Sequence, residues 1–279
     1  MESTAKPHHK MSPRNRILFF VTAWLIVLMP FLFWWNTWFG RTLTNRQLNE
    51  YLNDAAHPRH IQHALVQIGD RMAKNDASVR QWYPRVVQLA HSSVEEVRNT
   101  DAWVMGQTTA EPSFHRALLG LLNDPSLMVR GNAALSLVHF GDSSGRGQIV
   151  ALLQPAVLTA PVAGKVVDAA SAGTAIRERG LVLKLESAGQ VTEVRSPIAG
   201  RVRSLSAQVG QTVAAGATLA SIDPGTDQVW EALRALYLVG LPEDLDAIRP
   251  YTRETPEIAD RVRQQALETT AAIQKRASK

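Results

Sequence analysis

Three groups of residues have types and spacings that could do chemistry. Gly141, Asp142, Ser143, Ser144 and Gly145 fit the G-x-S-x-G pattern, in which a strained strand-to-helix turn raises a serine as a nucleophile. The residues before the pattern read as a helix, so it falls in an ordinary inter-helix turn and no catalytic residue is assigned. His57, His60 and His63 recur at a spacing that puts at least two imidazoles on one helical face, a pattern that suits a transition metal. Pro58 marks a helix boundary among them and Asp54 is the nearby carboxylate, so they read as exposed polar histidines and no metal site is expected. With no cysteine in the chain, thiol nucleophiles, thiolate metal sites and disulfides are excluded. No phosphate-cradling glycine loop and no paired acid and base stand out. The expected reading is therefore not an enzyme.

The elements that must position these residues begin with charge. A formal charge of +5 on 279 residues invites a nucleic-acid partner. Lys6, Lys10, Arg14 and Arg16 stand against Glu2 in the first sixteen positions, however, and the rest of the chain is close to balance. The basicity is mostly a targeting signal, and no nucleic-acid partner is expected.

Residues 17–39 carry no charged side chain, and as a helix they would span about 34 Å. That crosses a hydrocarbon core of roughly 30 Å. Pro30 should bend such a helix, and Trp34, Trp35 and Trp38 crowd one end, where amphipathic rings prefer the headgroup layer. A cleaved signal peptide would need a small-x-small site after a shorter apolar run. None is present, so an uncleaved anchor is favoured. The basic residues ahead of Ile17 keep the N-terminus in the cytoplasm. The expected location is a bacterial inner membrane, crossed once, with the soluble domains periplasmic; a cytoplasmic body on the same anchor is the alternative.

Over 44–155 apolar residues recur at helical spacing in short segments separated by polar breaks. Val97-Arg98-Asn99-Thr100-Asp101-Ala102-Trp103 and Val129-Arg130-Gly131-Asn132-Ala133-Ala134-Leu135 begin 32 positions apart, and Val262-Arg263-Gln264-Gln265-Ala266 is a third copy. A period in the thirties, built from an apolar helix, an Asp-Pro turn and a Val-Arg helix, resembles HEAT repeats. The resemblance implies that Asp124 and Arg130 belong to polar ladders between units and that Ala133 and Ala134 let helices approach. Repeats of this kind bury their apolar faces only by stacking.

Between 156 and 225 the texture changes to short Val- and Leu-rich runs broken by Gly and Pro, as in strands. Ala160-Pro161-Val162-Ala163-Gly164-Lys165-Val166 recurs as Ser196-Pro197-Ile198-Ala199-Gly200-Arg201-Val202, 36 positions later. Residues 194–223 resemble the biotinyl/lipoyl family and the barrel-sandwich hybrid of HlyD-type periplasmic adaptor proteins. In biotin and lipoyl carriers the resemblance implies a modified lysine at a hairpin tip, eight residues before the proline matching Pro197. Gly189 occupies that position, so no cofactor is expected. The adaptors keep the barrel without the lysine and insert a helical hairpin at this tip; this chain has a short turn there.

Removing 156–225 brings the helical spacing on either side close to one repeat, so the β-domain is expected as an insertion between the two helices of one HEAT-like pair. The chain is thus read as multidomain, α and β. A basic tail, 1–16, leads into a transmembrane helix, 17–39. A HEAT-like α-solenoid, 44–155, is followed by an inserted lipoyl-like barrel-sandwich hybrid, 156–225, and by helices completing the array, 226–279. The expected function is a membrane-anchored scaffold or adaptor that docks partner proteins of an envelope complex, with export or efflux as the setting the adaptor resemblance implies. The alternative is an accessory or assembly protein of an enzyme or cofactor–protein complex, including HEAT-like lyases. Ser187, Ala188, Gly189 and Gln190 at the tip, with Glu95 and Glu96 on the array, are the partner-binding candidates. The membrane and other proteins are the expected partners, and no small-molecule substrate is expected.

Overall fold

The computed structural model describes residues 42–278, together with 14, 17, 19–26, 28 and 29. The basic tail, apart from Arg14, and much of the apolar run 17–39, with Pro30 and its tryptophans at 34, 35 and 38, lie outside the described residues. Among the described residues no helix is long and apolar enough to cross a membrane. Two compact units divide the chain, Met1–Leu48 and Asn49–Lys279. In the first, the Thr44 hydroxyl accepts from the Gln47 amide N–H at 3.3 Å while Gln47 Oε1 accepts from the Thr44 amide at 3.1 Å. This reciprocal pair starts helix α1, Asn45–Leu52.

In the second unit, α2 (Pro58–Ala73) is followed by a 3₁₀ turn (Ala77–Trp82) and α3 (Tyr83–Leu89). Then come α4 (Glu95–Met105), α5 (Pro112–Leu121), α6 (Leu127–His139) and α7 (Arg146–Ala151). Prolines in the first turns of α2, α3 and α5 mark their starts, because a proline there forgoes only an N–H that has no intrahelical partner. Ser126 caps α6 by accepting from the Val129 amide.

The repeat seen in the sequence is a repeat of contacts. Asn132 Nδ2 donates to Asn99 Oδ1 at 2.8 Å, Ser136 Oγ to the Ala102 carbonyl at 2.8 Å, and His139 Nδ1 lies 2.8 Å from the Gly106 carbonyl oxygen. Three bonds spaced along α6 thus address successive turns of α4. The Asp124 carboxylate takes two bonds from Arg98, at 2.6 and 3.0 Å. Arg130 reaches the Asp124 carbonyl at 2.7 Å and Gln148 Oε1 at 3.1 Å. The acidic partner of Arg98 therefore stands one unit along in the chain, whereas Arg130 meets a glutamine of the helix that follows.

After α7 the chain enters a β-domain. Its strands are β1 (Ala156–Thr159), β2 (Gly164–Ala169), β3 (Ala175–Ile176), β4 (Leu181–Ser187), β5 (Gln190–Arg195), β6 (Gly200–Leu205), β7 (Thr212–Val213) and β8 (Thr218–Pro224). Among the described residues they form two four-stranded sheets, ordered β1-β8-β6-β3 and β5-β4-β2-β7. Advancing each strand of one sheet by four in the chain yields the other sheet, so the duplicated sequence is a duplicated structure. Even the irregularities match: β2 shifts register on β4 between Val166 and Asp168, and β6 on β8 between Val202 and Ser204. Gly200 explains the glycine of the repeated motif, because a β-carbon there would collide with the Asp223 carbonyl on the neighbouring strand. The two sheets enclose an apolar core that includes Val166, Leu183, Leu185, Ile198, Val202 and Ile222.

Beyond β8 the chain re-enters helix: α8 (Thr226–Val239), a short α9 (Leu245–Ile248) and α10 (Asp260–Ala277). Ile149 and Leu152 from the α7 side share one core with Val229, Leu233, Ile248 and Ala266 from beyond the β-domain. Polar bonds tie the same two sides together. Arg146 donates to Asp244 at 2.8 Å, Gln228 Nε2 to the Leu152 carbonyl at 2.9 Å, and the Tyr251 hydroxyl to the Leu153 carbonyl at 2.6 Å. Burial, followed by the charge of Asp223, pushes the Tyr251 phenol up to about 12, so it stays a donor at neutral pH.

Candidate functional site

The hairpin joining β4 to β5 turns on two residues. Ser187 pairs with Gln190, and Ala188 (φ 50) and Gly189 (φ 77) both occupy the left-handed region. A two-residue turn with both φ positive matches the right-handed twist of the flanking strands. Ala188, Gly189 and Gln190 are exposed and Ser187 is half-buried. A β-carbon on Gly189 would meet nothing within 4 Å, so backbone angle rather than crowding favours glycine there. Lys184 lies in β4, paired with Glu193 on one side and Asp168 on the other, and is not at the tip.

The duplication fixes where this tip stands. The counterpart of the β4–β5 turn in the other half is the break between β8 and β1, which pair as β4 and β5 do. Through that break the chain passes to α7 and α8. The tip therefore occupies the end of the domain that is equivalent to its attachment, with a closed turn where the other end is spliced to the array.

Glu95 and Glu96, the candidates on the array, have partners within the chain. Both are half-buried in the first turn of α4. Glu95 Oε1 accepts from the Ser126 hydroxyl at 2.7 Å, and Glu96 is ion-paired with Arg179 in the β3–β4 turn. They serve a contact inside the chain, between the array and the β-domain. Glu178, beside Arg179, has its carboxyl pushed above its usual range by burial and then by the charge of Glu95. Below this contact, burial drives the Asp124 carboxyl up, but the bonds from Arg98 and the Ser126 amide outweigh it and hold the carboxyl low. Leu127 and Met128, at the start of α6, pack against the β-domain core, and Leu127 also packs against the helical core beyond it.

The G-x-S-x-G residues lie between α6 and α7, with no strand leading into them. There Asp142 accepts from the Ser144 amide at 2.7 Å and its other oxygen lies 2.7 Å from His115 Nε2. His57 and His60 come together with Asp54, whereas His63 Nε2 is engaged by Gln67 Nε2 at 2.9 Å. The sequence reading missed Glu178, Arg179 and Tyr251. For the first two a signal existed: the duplicated half has Ala214 and Ala215 where they stand.

A family model described as Biotin-requiring enzyme matches residues 156–222. No curated protein matches the chain. Among solved structures, a single-chain, multi-domain long-chain acyl-CoA carboxylase aligns at 20% identity over 35% of this chain, with a TM-score of 0.25. The chain spans 10% of that protein's length. A designed armadillo repeat protein aligns at 14% identity, over 81% of this chain and 80% of its own, with a TM-score of 0.40. By the family match over 156–222 the β-domain is lipoyl-like, and it stands within the helical region described above.

Proposed function

We propose that this chain is a membrane-anchored scaffold that docks partner proteins of an envelope complex and presents the β4–β5 tip as a fixed contact edge. The observation that carries the reading is how the β-domain is held. A carrier domain must travel between sites. This one is spliced into the array at both ends, shares Leu127 with the helical core and is pinned through Arg179 to Glu96. Its tip bears Gly189 where the resemblance to biotin and lipoyl carriers places the acceptor lysine. A fixed, unmodified module beside an extended helical face offers two linked contact surfaces, which raise affinity through effective concentration when both engage.

The membrane part of the proposal rests on the uncharged run 17–39 and the basic residues ahead of it. A reporter fused after Lys279 should be active only when exported. The likeness to HlyD-type adaptors makes export or efflux the preferred setting, and the absence of a helical hairpin at the tip separates this chain from adaptors that reach outward with one.

An accessory role in an enzyme complex is favoured by one observation, the match of 156–222 to a family described as biotin-requiring. Complex recovery from native membranes, with Ser187, Ala188, Gly189 and Gln190 exchanged for a different two-residue turn and its flanks, separates the readings. Loss of partners with an unmodified intact mass supports the scaffold. A biotin or lipoate adduct, or a bound pigment, supports the accessory role.

A further inference from the structure

We propose that Asp54, His57 and His60 form a three-ligand site for a divalent first-row transition ion of the zinc type. The site lies in the turn between α1 and α2. Three backbone bonds coil this turn: the Asp54 amide to the Tyr51 carbonyl at 3.2 Å, the His57 amide to the Asp54 carbonyl at 3.1 Å, and the His60 amide to the His57 carbonyl at 2.8 Å. Residues three apart are thereby stacked, and their side chains meet on one side.

Both imidazoles aim Nδ1 at the same carboxylate. His57 Nδ1 lies 3.0 and 2.9 Å from the two Asp54 oxygens, and His60 Nδ1 lies 2.7 Å from Oδ2. The three ligand atoms all fall within 4.8 Å of one another. Zinc bonds nitrogen and carboxylate oxygen at about 2.0–2.2 Å in a tetrahedron, which separates ligand atoms by roughly 3.3 Å. Reaching that spacing opens the carboxylate–imidazole gaps by about 0.4–0.6 Å and draws the two ligand nitrogens, within 4.8 Å of each other, towards the same separation, changes within the reach of side-chain torsions.

Helix capping does not account for the arrangement. His57 is the N-cap residue of α2, yet its side chain makes no cap bond. Serine, threonine, aspartate and asparagine are the residues that serve that position. Asp54 likewise spends its oxygens on the two imidazoles. The Tyr51 ring stacks on His60, with centroids 4.3 Å apart and planes 12° apart, and so fixes the orientation of that ligand. Two imidazoles and a carboxylate are a donor set suited to zinc and its neighbours rather than to magnesium or calcium, which take oxygen. The side chains of His57, His60 and Asp54 are 65%, 42% and 29% exposed, so an ion can enter and its fourth position faces solvent. His63 is held apart by Gln67 and is not counted as a ligand.

The test is titration of the detergent-solubilised full chain, freed of metal by EDTA dialysis, with zinc against a chromophoric chelator. His8→Ala and His9→Ala are present in every sample, so that zinc held by those two histidines is not read. One saturable zinc per chain is expected. Asp54→Asn should weaken it at least roughly tenfold, and His57→Ala with His60→Ala should abolish it. Thermal melting of the variants in EDTA, matched to the parent, shows that the fold is kept. Where a variant melts early, X-ray absorption of the zinc-loaded parent decides, with two imidazoles and an oxygen expected in the first shell. Absence of saturable binding, equal affinity in the double histidine variant, or a first shell without imidazole would overturn the proposal.

Discussion

Arg179, at the turn between β3 and β4, is ion-paired with Glu96 in the first turn of α4, so the β-domain is bound to a helix other than the two between which its chain enters and leaves. The two side chains are 52% and 38% exposed, and solvent screening limits the pair to under about 1 kcal/mol. Glu96→Lys should leave the overall fold intact while raising hydrogen exchange in the β3–β4 turn. Adding Arg179→Glu to that variant should restore protection, which a purely structural defect at either position would not.

Asp101 should make stability fall as pH rises. It is fully buried in α4, and among the described residues neither carboxylate oxygen has a hydrogen-bond partner. Burial pushes its carboxyl well above the ordinary 3.8, against the opposing charge of Arg85. The folded state thus holds a proton that the unfolded state releases. Stability is full below 3.8, declines as pH rises towards the folded value and stays reduced above it. Asp101→Asn, which cannot ionise, should flatten the dependence, so that the variant gains on the parent as pH rises. Denaturant midpoints across the acid-to-neutral range check it, and parallel profiles for parent and variant would contradict it.

Two glycines should respond differently to substitution. A β-carbon at Gly200 would run into the Asp223 backbone, so Gly200→Ala should cost the β-domain at least about 1–3 kcal/mol. Gly189 has open space but a φ of 77, so Gly189→Lys should cost only about 1–2 kcal/mol and still fold. Urea midpoints of the two variants, followed by a β-sheet signal, measure the difference.

The helical array should survive without the β-domain. Residues on both sides of it share one core, and Gln228 already bonds the Leu152 carbonyl across the junction. Joining Gln154 to Thr226 through a short polar turn should give a cooperatively unfolding helical protein. Its stability should drop modestly, because Leu127 and Met128 lose their β-side cover. A molten or insoluble product would show that the two parts depend on one core.

The sequence carried the repeat architecture because stacking demands it. The Val-Arg helices and the duplicated Pro-x-Ala-Gly motif each mark a structure that recurs, and recurrence is visible in a single chain. What it concealed were contacts made once. Glu95 and Glu96 look like a solvated first turn, and nothing local shows that Ser126 and Arg179 come to meet them. The asymmetry of the duplication, Glu178 and Arg179 against Ala214 and Ala215, was the legible trace of that interface. His57 and His60 were legible as a spacing, but their convergence depends on the turn that brings Asp54 beneath both. Asp101 sits inside a repeat motif, and nothing local shows that its carboxylate is fully buried.

The account rests most directly on the β-domain being held fixed on the array. Amide nitrogen relaxation of the isotopically labelled chain measures this, by comparing β-domain residues such as Val166 and Ile222 with array residues such as Leu137 and Leu233. A single rotational correlation time for both sets is the predicted result. Faster, independent tumbling of the β-domain would make it a mobile carrier-like module and contradict the scaffold.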